Sequence, residues 1–482
     1  MVVERQRRLI LGSIPNKSTN QTQKEEKNDT RSSNLCPNTL YKSMQENIIN
    51  KSYKTQIYLN NKQKTLLGQA FGASRFVFNW ALKTSVAHKE QTGKYLKYID
   101  LQNELVKLKQ LDGYGWLNNC KAEMLQSAIK DFDNGLIRFF ANCKNPQIIK
   151  KGFPKFKSRK DDKQSCRFNQ NIIITHSHIN IFRKLGNIKL SQKSYIPLSS
   201  NKEIKICFAT LIREAGKYYA HVCVQETVKI ENSAECKSDG FDFGIKDLAI
   251  SSNGTKYPNI KPYISKERSI KRLQRKLSKK KKGSNNYNKA LLKLQRAHFK
   301  VKNIRADHLH KVSSKIVNEN QVIYLETLSI KNMIKCHNLA KALSDASLGM
   351  LKNMIVNKAK WQGKTVIFID RWFPSSKKCY ACGNVKKVLK LSERTYRCEI
   401  CGYVEDRDIN AAKNIKKEGQ RILAEQSSAP NKSLGTVEIT GTRVSKKRQK
   451  SVEKIATGAP LGAPRSVSSL NQKLCGNLVE IS

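Results

Sequence analysis

The sequence of 482 residues lacks long apolar runs, and this absence narrows the kinds of protein that it can encode. No stretch approaches the roughly 20 consecutive apolar residues that a membrane-spanning helix requires. The opening residues, MVVERQRRLILGS, combine a basic head with an apolar patch that is too short for a secretory signal. We therefore expect a protein that is neither embedded in a membrane nor secreted.

Acidic residues are also scarce. The chain has 38 Asp and Glu against 91 Lys and Arg, which gives a formal net charge of +53 and a pI near 10.0. Solubility alone needs far less charge, so the composition predicts a polyanionic partner. Nucleic acid is the expected partner, because Lys and Arg gain affinity by displacing counterions from phosphates. An anionic membrane surface is the rival interpretation.

The cysteines lack the arrangement of a disulfide scaffold. Of 13 cysteines, four form two C-x2-C pairs and the other nine stand alone in a chain too long for a small disulfide-stapled domain. An odd count of mostly single cysteines indicates a reducing compartment, where they act as small buried apolar residues. We expect a cytoplasmic protein that associates with the nucleoid.

Hydrophobic residues make up 39% of the chain, enough for the cores of two or three domains. Residues 1–50 are polar and irregular, and we expect them to be disordered or to lie upstream of a start at Met44. From residue 54 a strand is followed by amphipathic helices, with further helices at about 98–110 and 121–143, and short strands over 170–228 predict a small barrel.

The stretch KKGFPKFKSRKDDKQSCRFN mixes basic and aromatic residues with glycine and proline. Basic side chains such as Lys155 and Lys157 can bind phosphates, and aromatic rings can stack on bases. The composition of this stretch therefore indicates nucleic-acid binding. The alternative is a solvated loop with a few buried rings.

The second half of the chain is typical of an α/β domain. Near-continuous apolar runs at 321–328 and 364–370 predict central strands that are buried on both faces. Residues 264–319 predict a basic helical arm, whose Arg272 and Arg275 either face nucleic acid or form an ordinary solvated face.

Three carboxylates occur at positions where burying an apolar or neutral residue would cost less free energy. Asp242 interrupts the strand GFDFGI, Glu326 ends the strand VIYLE, and Asp408 opens the helix DINAAKNI. Charge in a buried strand costs several kcal/mol unless it is paired or bound to metal. Singly, each has an ordinary alternative: a turn residue, a strand end paired with lysine, and a helix N-cap. Together, on elements of one sheet, they predict a Mg²⁺ site, since carboxylates are the ligands that this ion prefers.

The two cysteine pairs, Cys379 with Cys382 and Cys398 with Cys401, form the pattern C-x2-C-x15-C-x2-C. This spacing is typical of a zinc site, and four thiolates fill tetrahedral coordination. We therefore expect a structural zinc ion with no catalytic role.

These motifs together resemble the TnpB family, the OrfB-type proteins of insertion sequences, which are related to type V CRISPR effector nucleases. The motifs that carry the resemblance span about residues 54–418 in the expected order: FGASRFVFNWAL, GFPKFKS, GFDFGIKDLA, VIYLETLSIKNM, NLAKALSDAS, DRWFPSSKKCYACG and CEICGYVEDRDINAAKNI.

The resemblance implies an RNA-guided, Mg²⁺-dependent DNA endonuclease. A guide RNA from the element's end would pair with target double-stranded DNA beside a short motif that the protein reads, and a separate transposase of the same element is a possible partner. The implied catalytic acids are Asp242, Glu326 and Asp408, with Asp406 as the alternative in the sequence DRD. Arg371 and Ser375 would contact phosphate or serve packing.

The resemblance also implies the fold: an α/β RNase H-like (RuvC) nuclease domain with an inserted zinc ribbon, preceded by a small β-barrel with an inserted helical bundle. The expected organisation is a disordered extension at 1–50, the barrel domain at 51–235 with its helical insertion at about 62–147, the nuclease domain at 236–418 with the arm at 264–319 and the zinc ribbon at 376–404, and a flexible tail at 419–482.

Two other functions use the same features. A guide-directed DNA-binding regulator that does not cut would keep the basic surface and the zinc, although the three intact acids argue against it. A strand-transfer transposase would also use three acids in an RNase H fold, although a zinc knuckle between the second and third acids argues against that.

Overall fold

The computed structural model describes residues 47–427, apart from 147, 149–150, 162, 199–203, 229–236, 336 and 391, together with 439–440. All of these belong to one compact unit that ends at Thr440. Of the disordered extension predicted at 1–50, residues 1–46 lie outside the described residues, as do the alternative start at Met44 and most of the predicted tail; residues 47–50 belong to a strand. Within the described part, no helix is long and apolar enough to cross a membrane.

The first half builds an antiparallel sheet of seven strands with a helical insertion. The strands are β1 Asn47–Tyr58, β2 Gln164–Phe168, β3 Ile173–Ile174, β4 His178–Asn180, β5 Ile188–Leu190, β6 Ile204–Glu214 and β7 Lys217–Val228. Their order is β2-β6-β7-β1-β5-β4-β3. The order begins at β2 and finishes at β3, so closure into the predicted small barrel is not confirmed.

Three helices lie between β1 and β2: α1 Asn61–Thr92, α2 Tyr98–Gln110 and α3 Ala122–Lys144. The α1 helix begins with a reciprocal cap, in which Asn60 Oδ1 accepts the Gln63 N–H at 2.8 Å and Gln63 Oε1 accepts the Asn60 N–H at 3.1 Å. It ends at Gly93, whose φ of +76° favours glycine. Leu67, Phe71 and other apolar residues of α1 pack with α3 and the sheet in one core.

The second half builds a six-stranded sheet in the order β10-β9-β8-β11-β12-β15. These strands are β8 Ser238–Asp242, β9 Asp247–Ser251, β10 Lys256–Pro258, β11 Val322–Glu326, β12 Thr365–Ile369 and β15 Ile439–Thr440. The neighbours β8, β11, β12 and β15 run parallel, while β9 and β10 are antiparallel.

Helices cover both faces of this sheet. They are α4 Pro262–Ser278, α5 Asn285–Glu319, α6 Ile330–Met333, α7 His337–Ala346, α8 Leu348–Trp361 and α9 Arg407–Ser427. Apolar residues of α5 and α8 pack on one face, and α9 packs on the other against Tyr324 and Ile367. Burial on both faces explains why β11 and β12 are almost continuously apolar.

The C-terminal end of this second half differs from the predicted domain boundary and tail. The α9 helix continues to Ser427, so the boundary predicted at residue 418 falls inside a helix. Ile439 and Thr440, which fall in the predicted flexible tail, pair with Ile367 and Phe368 of β12. A small ribbon, β13 Thr395–Arg397 with β14 Val404–Asp406, joins β12 to α9.

The two sheets are linked through the arm helix α5. Lys302 Nζ lies 2.6 Å from Glu214 at the end of β6, and the Tyr219 and Phe299 rings are 5.6 Å apart. His221 of β7 lies beside this contact. Burial and the nearby ammonium groups of Lys54, Lys163 and Lys302 lower its pKa to about 4, against the smaller opposing effect of Glu214.

This histidine predicts an acid sensitivity. Because folding lowers its pKa from 6.5 to about 4, its neutral form stabilises the protein above pH 6.5, and that stability is lost as pH falls from 6.5 to 4. We expect His221→Phe to reduce the drop in Tm between pH 7 and pH 4.5, as measured by thermal unfolding. His298→Phe, at an exposed position on α5, is the control. Equal drops in both variants would contradict the assignment.

Candidate active site

Asp242 and Glu326 lie side by side because of strand register. The parallel strands β8 and β11 pair Phe241 with Leu325, and the next residue on each strand is the acid that ends it. Carboxyl ends of parallel strands meet at one edge of a sheet, which is where ligands bind in open α/β folds. Both side chains are half-buried at this edge.

Asp408 approaches the same edge from the first turn of α9. The helix can lie this close to the sheet because Gly240 of β8 carries no side chain: a Cβ there would lie 2.5 Å from the Ala412 carbonyl oxygen. Ala411 and Ala412 of this helix are both buried.

The charges of the three acids influence one another. Burial raises the pKa of Asp242 well above its usual value, and the neighbouring carboxylates of Glu326 and Asp408 raise it further. Burial also raises the pKa of Glu326. A divalent cation would remove this penalty, because it favours the ionised form of each carboxyl group.

Arg407, which sequence reasoning missed, already supplies one positive charge. Its Nε and one terminal nitrogen donate to the same Asp408 oxygen at 3.1 and 3.0 Å, and its other terminal nitrogen donates to the Glu393 carbonyl at 2.9 Å. It also lowers the pKa of Asp242, against the larger opposing effects. Only its position between two acids in DRD could have signalled this role.

Asp406 has a different role from Asp408. One of its oxygens lies 2.8 Å from Lys256 Nζ, and the other accepts the Asp408 backbone N–H at 2.9 Å. Although burial opposes it, the Lys256 ammonium lowers the pKa of Asp406. Asp406 therefore behaves as a paired residue at the start of α9, which favours Asp408 as the third acid.

The four cysteines form a tight cluster. Their sulfurs all lie within 4.8 Å of one another, with Cys379–Cys401 at 3.7 Å and Cys382–Cys398 at 3.5 Å. Tetrahedral zinc with Zn–S bonds of about 2.3 Å requires sulfurs about 3.8 Å apart, so the cluster fits such an ion. Among the described residues this is the one group of three or more His, Cys, Asp or Glu side chains close enough to hold a metal ion; the three acids do not form such a group.

Two asparagines of α9 join the cysteine cluster to the acidic edge. Asn410 and Asn414 are 0% and 2% exposed. Asn410 accepts the Tyr380 N–H at 3.0 Å and donates to the Lys378 carbonyl at 2.9 Å, so it holds the backbone on both sides of Cys379. Asn414 donates to the Ser375 and Lys378 carbonyls at 2.9 and 2.6 Å. The first cysteine pair is thus fastened to the helix that carries Asp408.

We expect Asn414→Ala to destabilise the protein by about 1–3 kcal/mol, because the Ser375 carbonyl loses this donor and the Lys378 carbonyl keeps only the donor from Asn410. DNA cleavage should also slow, since α9 and Asp408 lose a fixed support, while zinc content stays unchanged. Thermal unfolding, metal analysis and cleavage rates measure these effects. Asn318→Ala, at an exposed helical position on α5, should change none of them; equal effects in the two variants would refute the link.

The predicted nucleic-acid contacts are not equally accessible. Arg272 and Arg275 on α4, Lys155 and Arg371 are exposed. Lys157 places its ammonium 3.7 Å from the centre of the Phe78 ring, and burial lowers its pKa. Ser375 is 7% exposed and its carbonyl accepts from Asn414, which favours the packing role over a phosphate contact.

Three family models match this chain. One described as "Probable transposase", OrfB of IS605, matches residues 221–337; a "Cas12f1-like, TNB domain" matches 349–415; a "Helix-turn-helix domain" matches 44–94. In the described part of that last range, the structure has the strand β1 and one long helix, α1.

Two curated relatives share the name "Putative RNA-guided DNA endonuclease". One from Streptomyces pristinaespiralis is 31% identical over 373 residues, which covers 77% of this chain and 90% of the relative. The other, InsQ of Escherichia coli K12, is 27% identical over 412 residues, covering 81% and 98%.

Two solved structures are also similar: a Cas12f1–sgRNA–target DNA complex (15% identity, TM-score 0.29, covering 76% of this chain and 99% of that one) and the mini-RNA-guided endonuclease CRISPR-CasΦ3 (10%, 0.40, 79% and 94%).

The fold and the site define a class: an α/β domain with a carboxylate cluster at the strand ends and a four-cysteine insertion. Within that class, the match to the Streptomyces relative along nearly its whole length is decisive. The chain belongs to the TnpB (OrfB) family.

Proposed function

We propose that this protein is an RNA-guided DNA endonuclease that uses Mg²⁺ held by Asp242, Glu326 and Asp408. The observation that carries the proposal is the register of β8 and β11, which ends two parallel strands in adjacent acids where α9 brings a third. The names of the relatives support the same activity.

The chain's own residues prepare the site in three ways. Asp242 is the central acid of the three, since both Glu326 and Asp408 raise its pKa. Arg407 holds the Asp408 carboxylate in place. The four cysteines, which we propose bind a structural zinc ion, fix the segment fastened to α9.

When bound, Mg²⁺ supplies positive charge that stabilises the attacking and leaving oxygens of phosphodiester cleavage. A pair of ions about 4 Å apart does not require every carboxylate to touch one ion. This fits three acids of which two raise the pKa of Asp242, although the three do not form one close group of metal-ligating side chains among the described residues.

The remainder of the chain suits a guide RNA and a DNA target. A net charge of +53 matches a large anion, and an RNA–DNA hybrid is recognised mainly through its shape and backbone. We propose that the antiparallel sheet and its helical insertion, within residues 51–235, hold the guide and read the target-adjacent motif. The second half, an RNase H-like (RuvC) nuclease domain in this proposal, cuts.

A single reconstitution tests the proposal. The protein is purified with co-expressed RNA from its own locus, the RNA is sequenced, and a matching DNA duplex is added with Mg²⁺. Cuts that depend on the RNA sequence support the nuclease. Binding without cuts would support a regulator instead, and joined strands would support a strand-transfer transposase.

A further inference from the structure

Trp372 is unusually exposed for a large aromatic residue. Its side chain is 80% exposed, although the backbone that carries it is fixed: its N–H donates to Asp370 Oδ1 at 2.7 Å, and the Phe373 N–H donates to the Asp370 carbonyl at 3.2 Å. The next residue, Phe373, packs instead against the core beneath α9. An ordered turn therefore presents an indole ring to solvent.

This turn lies at the acidic edge of the sheet. Strand β12 pairs its last residue, Ile369, with Glu326, and Thr327 Oγ1 donates to the Ile369 carbonyl at 2.8 Å. Trp372 follows three residues later. The exposed ring thus begins at the strand end next to one of the three proposed catalytic acids.

One cation lies against the indole ring, and other cations lie against the aromatic rings of neighbouring residues in sequence. The exposed Arg371 guanidinium lies 4.8 Å from the centre of the indole. Lys378 lies 5.2 Å from the Phe373 ring, and the exposed Tyr380 has Lys413 and Lys417 at 5.5 and 5.6 Å from its ring centre. Exposed aromatic rings accompanied by cations are the surface that binds single-stranded nucleic acid, where rings stack on bases and cations contact phosphates.

We propose that Trp372 stacks on an unpaired base of the DNA strand that enters the active site, with Arg371 on an adjacent phosphate. The base must be unpaired, because a base inside a duplex has no free face. This inference rests on the proposed nuclease function and specifies how the strand is held beside the acids.

DNA binding, measured without cleavage, tests this stacking role of Trp372, which we call the stacking platform. In the Asp242→Asn background, purified with co-expressed RNA, a dye-labelled 12-nucleotide pyrimidine DNA strand is titrated against the parent and three further variants. Stacking is worth about 1–3 kcal/mol per base, so Trp372→Leu should weaken binding by about 5- to 150-fold. Trp372→Tyr should restore most of the affinity, because it keeps an aromatic face. Trp361→Leu, at a half-buried tryptophan that ends α8, should bind like the parent.

The outcomes separate the platform from the enzyme. Unchanged binding by Trp372→Leu, or equal losses with Leu and Tyr, would overturn the platform even if the wild-type complex cuts DNA under RNA guidance. Weaker DNA binding by Trp372→Leu, with most of the affinity kept by Trp372→Tyr, supports the platform even if the wild-type protein fails to cut.

Discussion

Asp242→Asn is expected to reduce RNA-guided DNA cleavage by at least about 10³-fold, because the site loses the carboxylate whose pKa both other acids raise, and with it several kcal/mol of stabilisation by the metal. Binding of the guide RNA should be unchanged, since Asp242 lies at the edge of the second sheet. Single-turnover cleavage and an RNA-binding titration measure the two effects. Cleavage at a normal rate would show that the site is misassigned.

The matched control is Asp406→Asn. Because Asp406 pairs with Lys256 and accepts the Asp408 N–H, we expect this variant to keep cleavage within about 10-fold of wild type, the loss of a surface ion pair and one capping hydrogen bond being small. A loss as large as that of Asp408→Asn would make Asp406 the third acid.

The same Asp242 variant also allows a stability test that does not depend on activity. Folding raises the pKa of Asp242, so its ionised form destabilises the metal-free protein as pH rises above the usual aspartate range. At pH 7 in chelator, Asp242→Asn should therefore unfold at a higher temperature than wild type, by about 2–4 °C for each kcal/mol gained. Mg²⁺ should raise the Tm of wild type more than that of the variant. A lower Tm for the variant in chelator would contradict the buried-charge argument.

Cys379→Ser is expected to remove the zinc and to destabilise the second half of the chain. Zinc binding contributes about 10–16 kcal/mol in small zinc domains. If the variant loses only about 3 kcal/mol of this zinc-binding free energy, its Tm should fall by about 6–12 °C. Because Asn410 and Asn414 fasten this segment to α9, cleavage should fall as well.

Metal analysis and thermal unfolding measure the effect of that change. The control is Cys143→Ser, at an exposed cysteine outside the cluster, which should alter neither zinc content nor Tm. Full zinc occupancy in Cys379→Ser would count against a four-thiolate site.

Many helices and strands of the fold could be predicted from local sequence patterns. The helices predicted near 98–110 and 121–143 are observed at Tyr98–Gln110 and Ala122–Lys144, because their apolar spacing follows the helical period. The arm breaks between Ser278 and Asn285, where Gly283 interrupts it, while the asparagines that follow begin α5. The buried strands β11 and β12 were equally visible from composition, since both faces of each are covered.

Contacts between distant segments could not be predicted in this way. The bonds from Asn410 and Asn414 to the first cysteine pair join residues 30 or more positions apart in sequence and follow no periodicity. Arg407 looked like one more cation in a chain with 91 of them. The pairing of residues 439–440 with β12 adds a strand from a stretch whose polar composition had indicated none.

The most direct test of the central claim is anomalous scattering from a crystal of the protein soaked in Mn²⁺ as a substitute for Mg²⁺. We predict a peak within about 2.5 Å of an Asp242 oxygen, with Glu326 or Asp408 as a further ligand, as expected for carboxylate coordination. Mn²⁺ bound elsewhere, with the Asp242 carboxylate left without an ion at saturating Mn²⁺, would contradict the proposed metal-dependent site.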